Sequence, residues 1–358
     1  MATFGSLSPG ETRMEVPMTL RGIVLTAVLA AIAFAPAASV PVVAQSVAQK
    51  AWTAPRTPDG KPDLQGIWSY ATITPVERPA EFAGKEFMTE QEAVAYEKRL
   101  LQENNRDRRD GTAAEDVGRA YNDFWWDRGT KVVSTRRTSL VVDPPDGKIP
   151  PLTQEAQRRA ADRAAARRNS GRGPYDGPED RPLGERCIMF GSGGVPMLPG
   201  AYNNNVQVVQ TPDQIALVSE MIHDARVVPV SGVDARPPLP KNIRQYRGDS
   251  RGHWEGDTLV VVTTNFTDKT NFRGSSENMR LTERFTRVSE DTLLYRFTVE
   301  DPSSFARPWT VEIPMWKNHE LMYEYACHEG NSSIAGVLSG ARAEEKAAAG
   351  ARTPGTPR

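Results

Sequence analysis

The sequence predicts a mainly β protein, built as an antiparallel β-barrel with two short helical segments and long loops. Short apolar segments follow one another densely after residue 205, turn residues separate them about every ten positions, and apolar and polar side chains alternate within them. Short antiparallel strands of this kind form either a closed barrel or a two-sheet sandwich. We favour the barrel because its edge strands pair with each other, and the β-sandwich is the alternative.

The alternation is clearest near residue 295. Between Leu293 and Val299 every second side chain is apolar, while Arg296 and Thr298 stand between them, which indicates one buried and one solvent-facing side of a strand. A first strand begins at Gly66. The other predicted strands comprise residues 131–142, 206–209, 214–222, 225–230, 259–266, 279–288, 292–300, 308–316 and 321–327.

Two helical segments interrupt the strands. Thr89 followed by Glu92 has the spacing of a capping box, in which each side chain binds the backbone N–H of the other residue, so a helix is predicted over residues 89–101. An Ala- and Arg-rich stretch predicts a second helix over residues 153–168. The polar residues 102–118 and the Gly-, Pro- and Asp-rich residues 169–182 are expected to be surface loops.

The N-terminal segment is typical of an exported protein. Residues 23–35 form an apolar run behind Arg21 that is too short for a transmembrane helix, which needs roughly 20 apolar residues. Small residues follow it, as at a signal-peptide cleavage site, and an uncleaved membrane anchor is the alternative. We assign residues 1–45 to the signal peptide and upstream residues, with Met14 and Met18 as alternative starts, and expect a periplasmic or secreted protein.

The remaining chain reads as one domain. Residues 46–62 are rich in Pro, Thr, Lys and Gly and are expected to form an extended linker. Residues 63–345 show no internal repeat and no boundary, so we assign them to a single barrel-like domain. Residues 346–358 are expected to be a disordered tail.

Charge and cysteine content limit the classes of partner and cofactor. The chain has 44 basic and 45 acidic residues, so it lacks the positive charge expected for binding nucleic acid or an anionic membrane. Cys187 and Cys327 are the two cysteines, and in an oxidising compartment they are expected to form a disulfide. The haem-attachment pattern is absent and four scattered histidines do not make a zinc site, so we predict neither a cofactor nor a metal.

Residues 249–257 at first suggest a metal loop, because they hold three carboxylates and a histidine within nine positions. We interpret them as a hairpin. Gly256 and Asp257 stand where a tight turn would reverse the chain, and Trp254 is expected to pack in the core. The spacing also lacks the alternating oxygen ligands of a helix-flanked calcium loop.

Two resemblances support this reading. Gly66-Ile67-Trp68 resembles the G-x-W signature of lipocalin-like, calycin-type barrels, which implies a first strand whose tryptophan closes one end of the barrel. Longer stretches resemble a family of uncharacterised exported bacterial proteins that carry a GDSxGxWEGDTLVV motif. The resemblance implies export and a shared β fold without a defined reaction. It covers residues 57–64, 66, 68, 137–151, 248–260, 283–285, 301–302 and 323–327.

Residues 220–226 place an imidazole, a carboxylate and a guanidinium group in an apolar, strand-like setting. His223 is the natural acid–base group near neutral pH. On a strand, His223 would face one side of the sheet, whereas Asp224 and Arg226 would face the other. A carboxylate from another segment would then orient His223, and the candidates are Glu255, Asp249 and Glu329. The alternative is a structural histidine beside an Asp224–Arg226 surface pair.

Two polar and aromatic clusters are candidate pocket walls, since aromatic rings give a pocket its shape and a few polar groups orient the ligand. Their alternatives are an aromatic plug at the edge of the core and an Asn-rich turn. The first cluster comprises Tyr121, Asp123, Trp125, Trp126 and Arg128, and the second comprises Tyr202, Asn203 and Asn205. We expect residues 121–128 to cover the mouth of the barrel, with His223 facing inward beneath them.

Our leading functional hypothesis is an exported, cofactor-independent enzyme that acts on a small organic molecule by acid–base chemistry. A lyase, hydratase or isomerase fits best, because the chain lacks a Gly-x-Ser-x-Gly motif and both cysteines are expected to be bonded. His223 would transfer the proton, and Arg226 or Arg128 would stabilise negative charge. The alternatives are a non-catalytic small-molecule-binding barrel and an envelope-associated interaction protein. Nucleic-acid binding and stable membrane insertion after cleavage are not expected, and the oligomeric state is left open.

Overall fold

Ten antiparallel strands form one sheet, which confirms a mainly β protein with few helices. The computed structural model describes residues 52–109, 111–118, 122–190, 194–230, 237–270 and 272–351, all of them within the compact unit Ala51–Arg358. The predicted signal peptide lies outside the described residues. The strands are β1 (Gly66–Ser69), β2 (Val141–Asp143), β3 (Asn205–Gln210), β4 (Gln214–Ser219), β5 (Ala225–Pro229), β6 (Asp249–Glu255), β7 (Thr258–Thr264), β8 (Arg280–Arg287), β9 (Thr292–Glu300) and β10 (Trp309–Asn318).

The order of strands across the sheet is β5-β4-β3-β1-β10-β9-β8-β7-β6, and the short β2 pairs with β10 outside this path. The two strands at the ends of the path, β5 and β6, meet at a single parallel bridge between Val230 and Gly252. No ladder joins them in the described part of the chain, so the sheet is not closed by continuous hydrogen bonding. This incompletely paired junction between β5 and β6 is called the seam below.

The predicted alternation sets the two sides of the sheet. In β9 the side chains of Leu293, Tyr295, Phe297 and Val299 are fully buried, whereas Arg296 is exposed. Their rings pack tightly inside the sheet: the ring centres of Tyr295 and Phe285 lie 4.9 Å apart. Aromatic rings thus fill the interior between β8, β9 and β10 and supply a large share of the buried apolar surface.

Three strand predictions need correction. Of the predicted strand over residues 131–142, only the last two residues belong to a strand, β2 (Val141–Asp143). The backbone before β2 is held by other groups, including Glu97, which accepts the N–H of Val132. Residues 321–327 form no strand, and their apolar side chains do not face a core, since Leu321 and Tyr323 are each 74% exposed. The strand predicted over 214–222 ends at Ser219, where a tight turn begins.

Trp68 is fully buried, as its position beside Gly66 predicts. Its indole Nε1 donates to the Leu64 carbonyl at 2.9 Å, and the Arg287 guanidinium lies 5.6 Å from its ring centre. Arg287 also donates to the Asp63 carbonyl, which ties the segment before β1 to the end of β8. Trp68 therefore packs where the segment before β1 meets the end of β8.

The predicted hairpin over residues 249–257 is confirmed, with Gly256 and Asp257 forming the turn between β6 and β7. The expectation that Trp254 packs in the core is confirmed in part. Trp254 is only partly buried, although it packs against the main core. Its place one residue before the end of β6, next to the turn, leaves part of its ring in solvent.

Both predicted helices are confirmed, as α1 (Glu90–Glu103) and α3 (Gln154–Asn169). At the start of α1, Thr89 and Glu92 make both hydrogen bonds of the capping box. Two further helices, α2 (Ala113–Gly118) and α4 (Ser333–Ala351), were not predicted. The helix α4 includes residues 346–351, the first part of the expected tail. None of the described helices is long and apolar enough to cross a membrane.

Cys187 and Cys327 form the predicted disulfide, with their Cα atoms 5.9 Å apart and a sequence separation of 140 residues. Cys187 lies in the irregular stretch before β3, and Cys327 lies between β10 and α4. The bond therefore anchors the segment after β10, which has no strand of its own, to the body of the protein.

Candidate functional site

The turn between β4 and β5 holds the first group of predicted site residues. Met221–His223 form a single 3-10 turn, and the backbone φ angles of Ile222 and His223 are both positive, which is uncommon outside glycine. The side chain of His223 is exposed. The expectation that His223 faces inward from a strand is therefore wrong, because β4 ends at Ser219, four residues before it.

The carboxylates proposed to orient His223 have other surroundings. Glu255 accepts hydrogen bonds from His253 and Arg284 at the far end of β6. Asp249 binds Arg251 and accepts the N–H of Leu239. Glu329 is exposed after Cys327. The structure thus brings none of these three groups into a described contact with His223.

Asp224 lies next to His223 but has a different environment. It is partly buried and forms an ion pair with Arg247, a residue of the segment leading into β6. Burial raises the pKa of the Asp224 carboxyl above its ordinary value, although the Arg247 and Arg226 guanidinium groups favour its charged form. Asp224 is therefore a partly buried carboxyl group whose pKa lies above that of an exposed aspartate.

Arg226 points into the sheet and joins a buried polar network. Its guanidinium makes two hydrogen bonds with Glu283 of β8, one of them 3.0 Å from Nη2 to Oε1. The Tyr295 hydroxyl of β9 donates to the same carboxylate at 2.8 Å and accepts the N–H of Met197 at 3.2 Å. The exposed fraction of the side chain is 10% for Arg226 and 0% for Glu283.

This Arg226–Glu283–Tyr295 network replaces the expected Asp224–Arg226 surface pair, which is wrong because the two side chains bind different partners. Burial raises the pKa of the Tyr295 hydroxyl well above its ordinary value, so it remains protonated and donates to Glu283. A buried ion pair costs desolvation energy and is not in itself strong evidence of stability. Among the described residues, the side chains of this pair are less exposed than those of any other ion pair, which singles out this part of the sheet.

A cavity of about 490 Å³ lies at the seam, beside this network. One wall is the start of β5, and the other is the segment that leads into β6. Arg226 lines the cavity and is also part of the buried network, so it links the two. The remaining lining residues are Ala225, Val227, Arg244, Gln245, Tyr246, Arg247, Gly248, Asp249 and Ser250.

The first aromatic cluster is built around Trp126 rather than around a cavity. The guanidinium groups of Arg106 and Arg128 lie 4.6 and 4.4 Å from the centre of its ring, within the range of cation–π contacts. Trp125 is 59% exposed, and Asp123 accepts the N–H of Arg106. No residue of this cluster lines the seam cavity, and Tyr121 lies outside the described residues.

The second cluster connects the first one to the turn after β4. The ring of Tyr202 lies 6.4 Å from that of Trp126, and the Asn203 backbone has a positive φ. Asn205 donates to Glu220 at 2.7 Å, and Glu220 lies two residues before Ile222. The two predicted clusters and the 220–226 turn therefore belong to the same end of the sheet.

The acidic groups at this end of the sheet lie close enough to influence one another's pKa values. Burial raises the pKa of Asp127, and the neighbouring Glu220 carboxylate raises it further. The Tyr70 hydroxyl is buried at the same place, and its pKa is raised by burial and by Glu220 and Asp127. Buried or partly buried acidic groups thus gather at this end of the sheet.

Sequence reasoning missed three residues that organise this region, Glu283, Tyr295 and Arg247, and Asn204, within the Asn-rich segment 202–205, organises it as well. Asn204 is fully buried, donates to the Asp127 and Gly200 carbonyls and accepts the Gly200 N–H. A signal for Glu283 was present, because it occupies a buried-face position between Leu281 and Phe285. An acidic residue at such a position needs a buried partner.

Among the described residues, no group of three or more His, Cys, Asp or Glu side chains is arranged to hold a metal ion. Searches against protein-family models, curated proteins and solved structures found no match to this chain.

Proposed function

We propose that this chain is an exported β-barrel protein that binds a small organic molecule in the seam cavity. The observation that carries the proposal is the position of Arg226, which lines the cavity and is held from behind by Glu283, whose carboxylate Tyr295 in turn fixes. A guanidinium held in this way loses little side-chain freedom when it binds a ligand. Preorganised polar groups beside a concave surface are typical of small-molecule sites.

Three features support the barrel in this proposal. The ends of the strand path approach each other closely enough to form the Val230–Gly252 bridge. Trp68 of β1 packs beneath the Arg287 guanidinium, in keeping with the resemblance of Gly66-Ile67-Trp68 to calycin-type barrels. Aromatic rings fill the interior. We therefore propose a barrel whose seam is paired at one end and open at the other, where the cavity lies.

The lining of the cavity defines the class of ligand. Its volume is within the range of small-molecule sites, about 300–1,000 Å³. Three arginines, Arg226, Arg244 and Arg247, line it against one carboxylate, that of Asp249, together with tyrosine, glutamine and serine side chains. We expect a small organic acid, because the arginines outnumber the carboxylate and guanidinium groups bind carboxylates through paired hydrogen bonds.

Filling the cavity tests this proposal. Ala225 is exposed and lines the cavity, so Ala225→Trp should block it without disturbing the interior. We expect small organic acids from a metabolite extract to raise the melting temperature of the wild type, since a ligand at 100 times its Kd adds about 2.7 kcal/mol of stability. The Ala225→Trp protein should show no such shift.

Val209→Trp is the matched control, because Val209 is 43% exposed on β3 and does not line the cavity. It should respond to the same ligand as the wild type does. An Ala225→Trp protein that binds the ligand with unchanged affinity would show that the seam is not the site.

Asp224 favours a second candidate function, an enzyme that acts by acid–base chemistry. Its carboxyl has a raised pKa and pairs with Arg247, which lines the cavity. Asp224, rather than the exposed His223, would then transfer the proton. If mass spectrometry detects conversion of the bound molecule, Asp224→Asn should abolish turnover, whereas His223→Ala should leave it unchanged. A fully active Asp224→Asn protein would refute this candidate.

We propose that the protein acts in the periplasm or outside the cell. The Cys187–Cys327 disulfide supports this localisation, because disulfides persist in oxidising compartments. Intact-mass measurement of the protein from its native host should give a mature N-terminus between about residues 38 and 50, after the small residues of a cleavage zone. A cytoplasmic protein with its full N-terminus would contradict the proposal.

A further inference from the structure

The segment from Arg158 within α3 to Arg172 just beyond it concentrates positive charge. Residues 158–172 contain six arginines and a single acidic residue, Asp162, whereas the whole chain has 44 basic and 45 acidic residues. This segment therefore carries a local excess of positive charge, although the whole chain is close to neutral. Solubility does not explain this excess of arginine, because a helix surface with mixed charges is equally soluble.

Three of these arginines lie on the same side of the helix. At 100° per residue, Arg163, Arg167 and Arg168 fall within an arc of about 140°, and Arg158 and Asp162 lie on the opposite side. The three arginines on the first side, together with Ala164, Arg172 and Pro174, line a cavity of about 660 Å³. Every charged side chain around this cavity is thus an arginine.

The outer wall of the cavity is held in place by its own contacts. Arg172 binds the Asp180 carboxylate at 2.6 Å, and Arg181 donates to the Pro174 carbonyl at 3.0 Å. Arg181 also makes a two-bond pair with Glu185 and lies 4.6 Å from the ring centre of Tyr175. The loop after α3 therefore returns along the helix and fixes Arg172 and Pro174 opposite its last turns.

The positive charge at the cavity is only partly neutralised. Arg163 lies 3.9 Å from Asp268, and Arg172 pairs with Asp180. Within the described ranges, neither Arg167 nor Arg168 has an acidic partner. The negative end of the helix dipole accounts for cations in the last turn of α3, but Arg163 lies before that turn and Arg172 lies beyond the helix.

We propose that this arginine cavity binds a small soluble molecule that carries two or more phosphate or sulfate groups. The planar guanidinium group matches the oxygens of such groups and binds them through paired hydrogen bonds. Two guanidinium groups without an acidic partner, Arg167 and Arg168, lie beside two that are already paired, so the cavity can contact more than one oxyanion, which favours a multivalent ligand. The site is separate from the seam cavity and does not depend on the function proposed there.

Calorimetric titration of the disulfide-bonded protein with tripolyphosphate and with sucrose octasulfate tests the proposal. We expect saturable binding of at least one probe. Arg167→Ala and Arg168→Ala should each weaken it about tenfold, as the loss of a charge-assisted hydrogen bond predicts. Arg168→Lys, which keeps the charge but loses the planar fork, should weaken it less than Arg168→Ala does. Ala225→Trp should bind the probe as the wild type does, which separates this result from the seam proposal.

Arg158→Ala is the matched control, because it removes one charge from an exposed position on the opposite side of α3. It should change the affinity by less than about twofold at physiological salt, where long-range charge effects are screened. The proposal is overturned if neither probe binds the wild type, or if Arg158→Ala weakens binding as much as Arg168→Ala does.

Discussion

Replacing Glu283 with leucine is expected to lower the free energy of unfolding by about 3–5 kcal/mol. The Glu283 carboxylate is fully buried and accepts hydrogen bonds from Arg226 and Tyr295. Without it, the Arg226 guanidinium keeps its charge inside the sheet with no acidic partner, and the Tyr295 hydroxyl loses its acceptor. Urea unfolding of the disulfide-bonded protein, followed by tryptophan fluorescence, measures the change.

The double variant Arg226→Met/Glu283→Leu separates the two sources of this loss. It removes both charges, so it should recover most of the stability lost in Glu283→Leu, because no unpaired charge remains inside. Glu255→Leu removes an exposed carboxylate that binds Arg284 and should change stability little. A Glu283→Leu protein as stable as the wild type would show that the network is not buried in solution.

Trp68→Ala is the second variant for which we expect a large effect, a loss of about 3–5 kcal/mol in the free energy of unfolding. The Trp68 side chain is fully buried, donates to the Leu64 carbonyl and stacks beneath Arg287. Truncation leaves a cavity where several segments meet and removes the ring that faces the guanidinium. Thermal and urea unfolding measure the loss.

Two other tryptophans serve as internal controls for Trp68. Trp125 is 59% exposed, so Trp125→Ala should stay within about 0.5 kcal/mol of the wild type. Trp254 is partly buried, so Trp254→Ala should fall between the other two. If Trp68→Ala unfolds like Trp125→Ala, Trp68 is not packed as described.

The parts of the fold that local sequence determines were predictable. The Thr89–Glu92 pair marked the start of α1, and the alternation in residues 293–299 marked the buried side of β9. The prediction failed at residues 131–140 and 321–327, where apolar side chains suggest strands but the backbone binds other partners or is anchored by the disulfide. The whole fold determines which hydrogen-bond partner the backbone of such a segment finds, so the segment's own sequence does not reveal it.

The candidate site was less predictable for the same reason. The 220–226 segment attracted attention through its residue types, yet His223 lies outside the sheet and Arg226 lies inside it. The side chains of Arg226 and Glu283 meet only because the two ends of the strand path approach each other. Their positions in the chain are 57 residues apart, so no local pattern relates them.

The disulfide has a topological consequence. Strands β3 to β10 all lie between Cys187 and Cys327, so the bond encloses them in a covalent ring, while β1 and β2 lie outside it. A protease that cuts one peptide bond within this ring opens it without releasing a fragment. Such a nicked molecule would keep its intact mass, apart from one added water, and would separate into two pieces only after reduction.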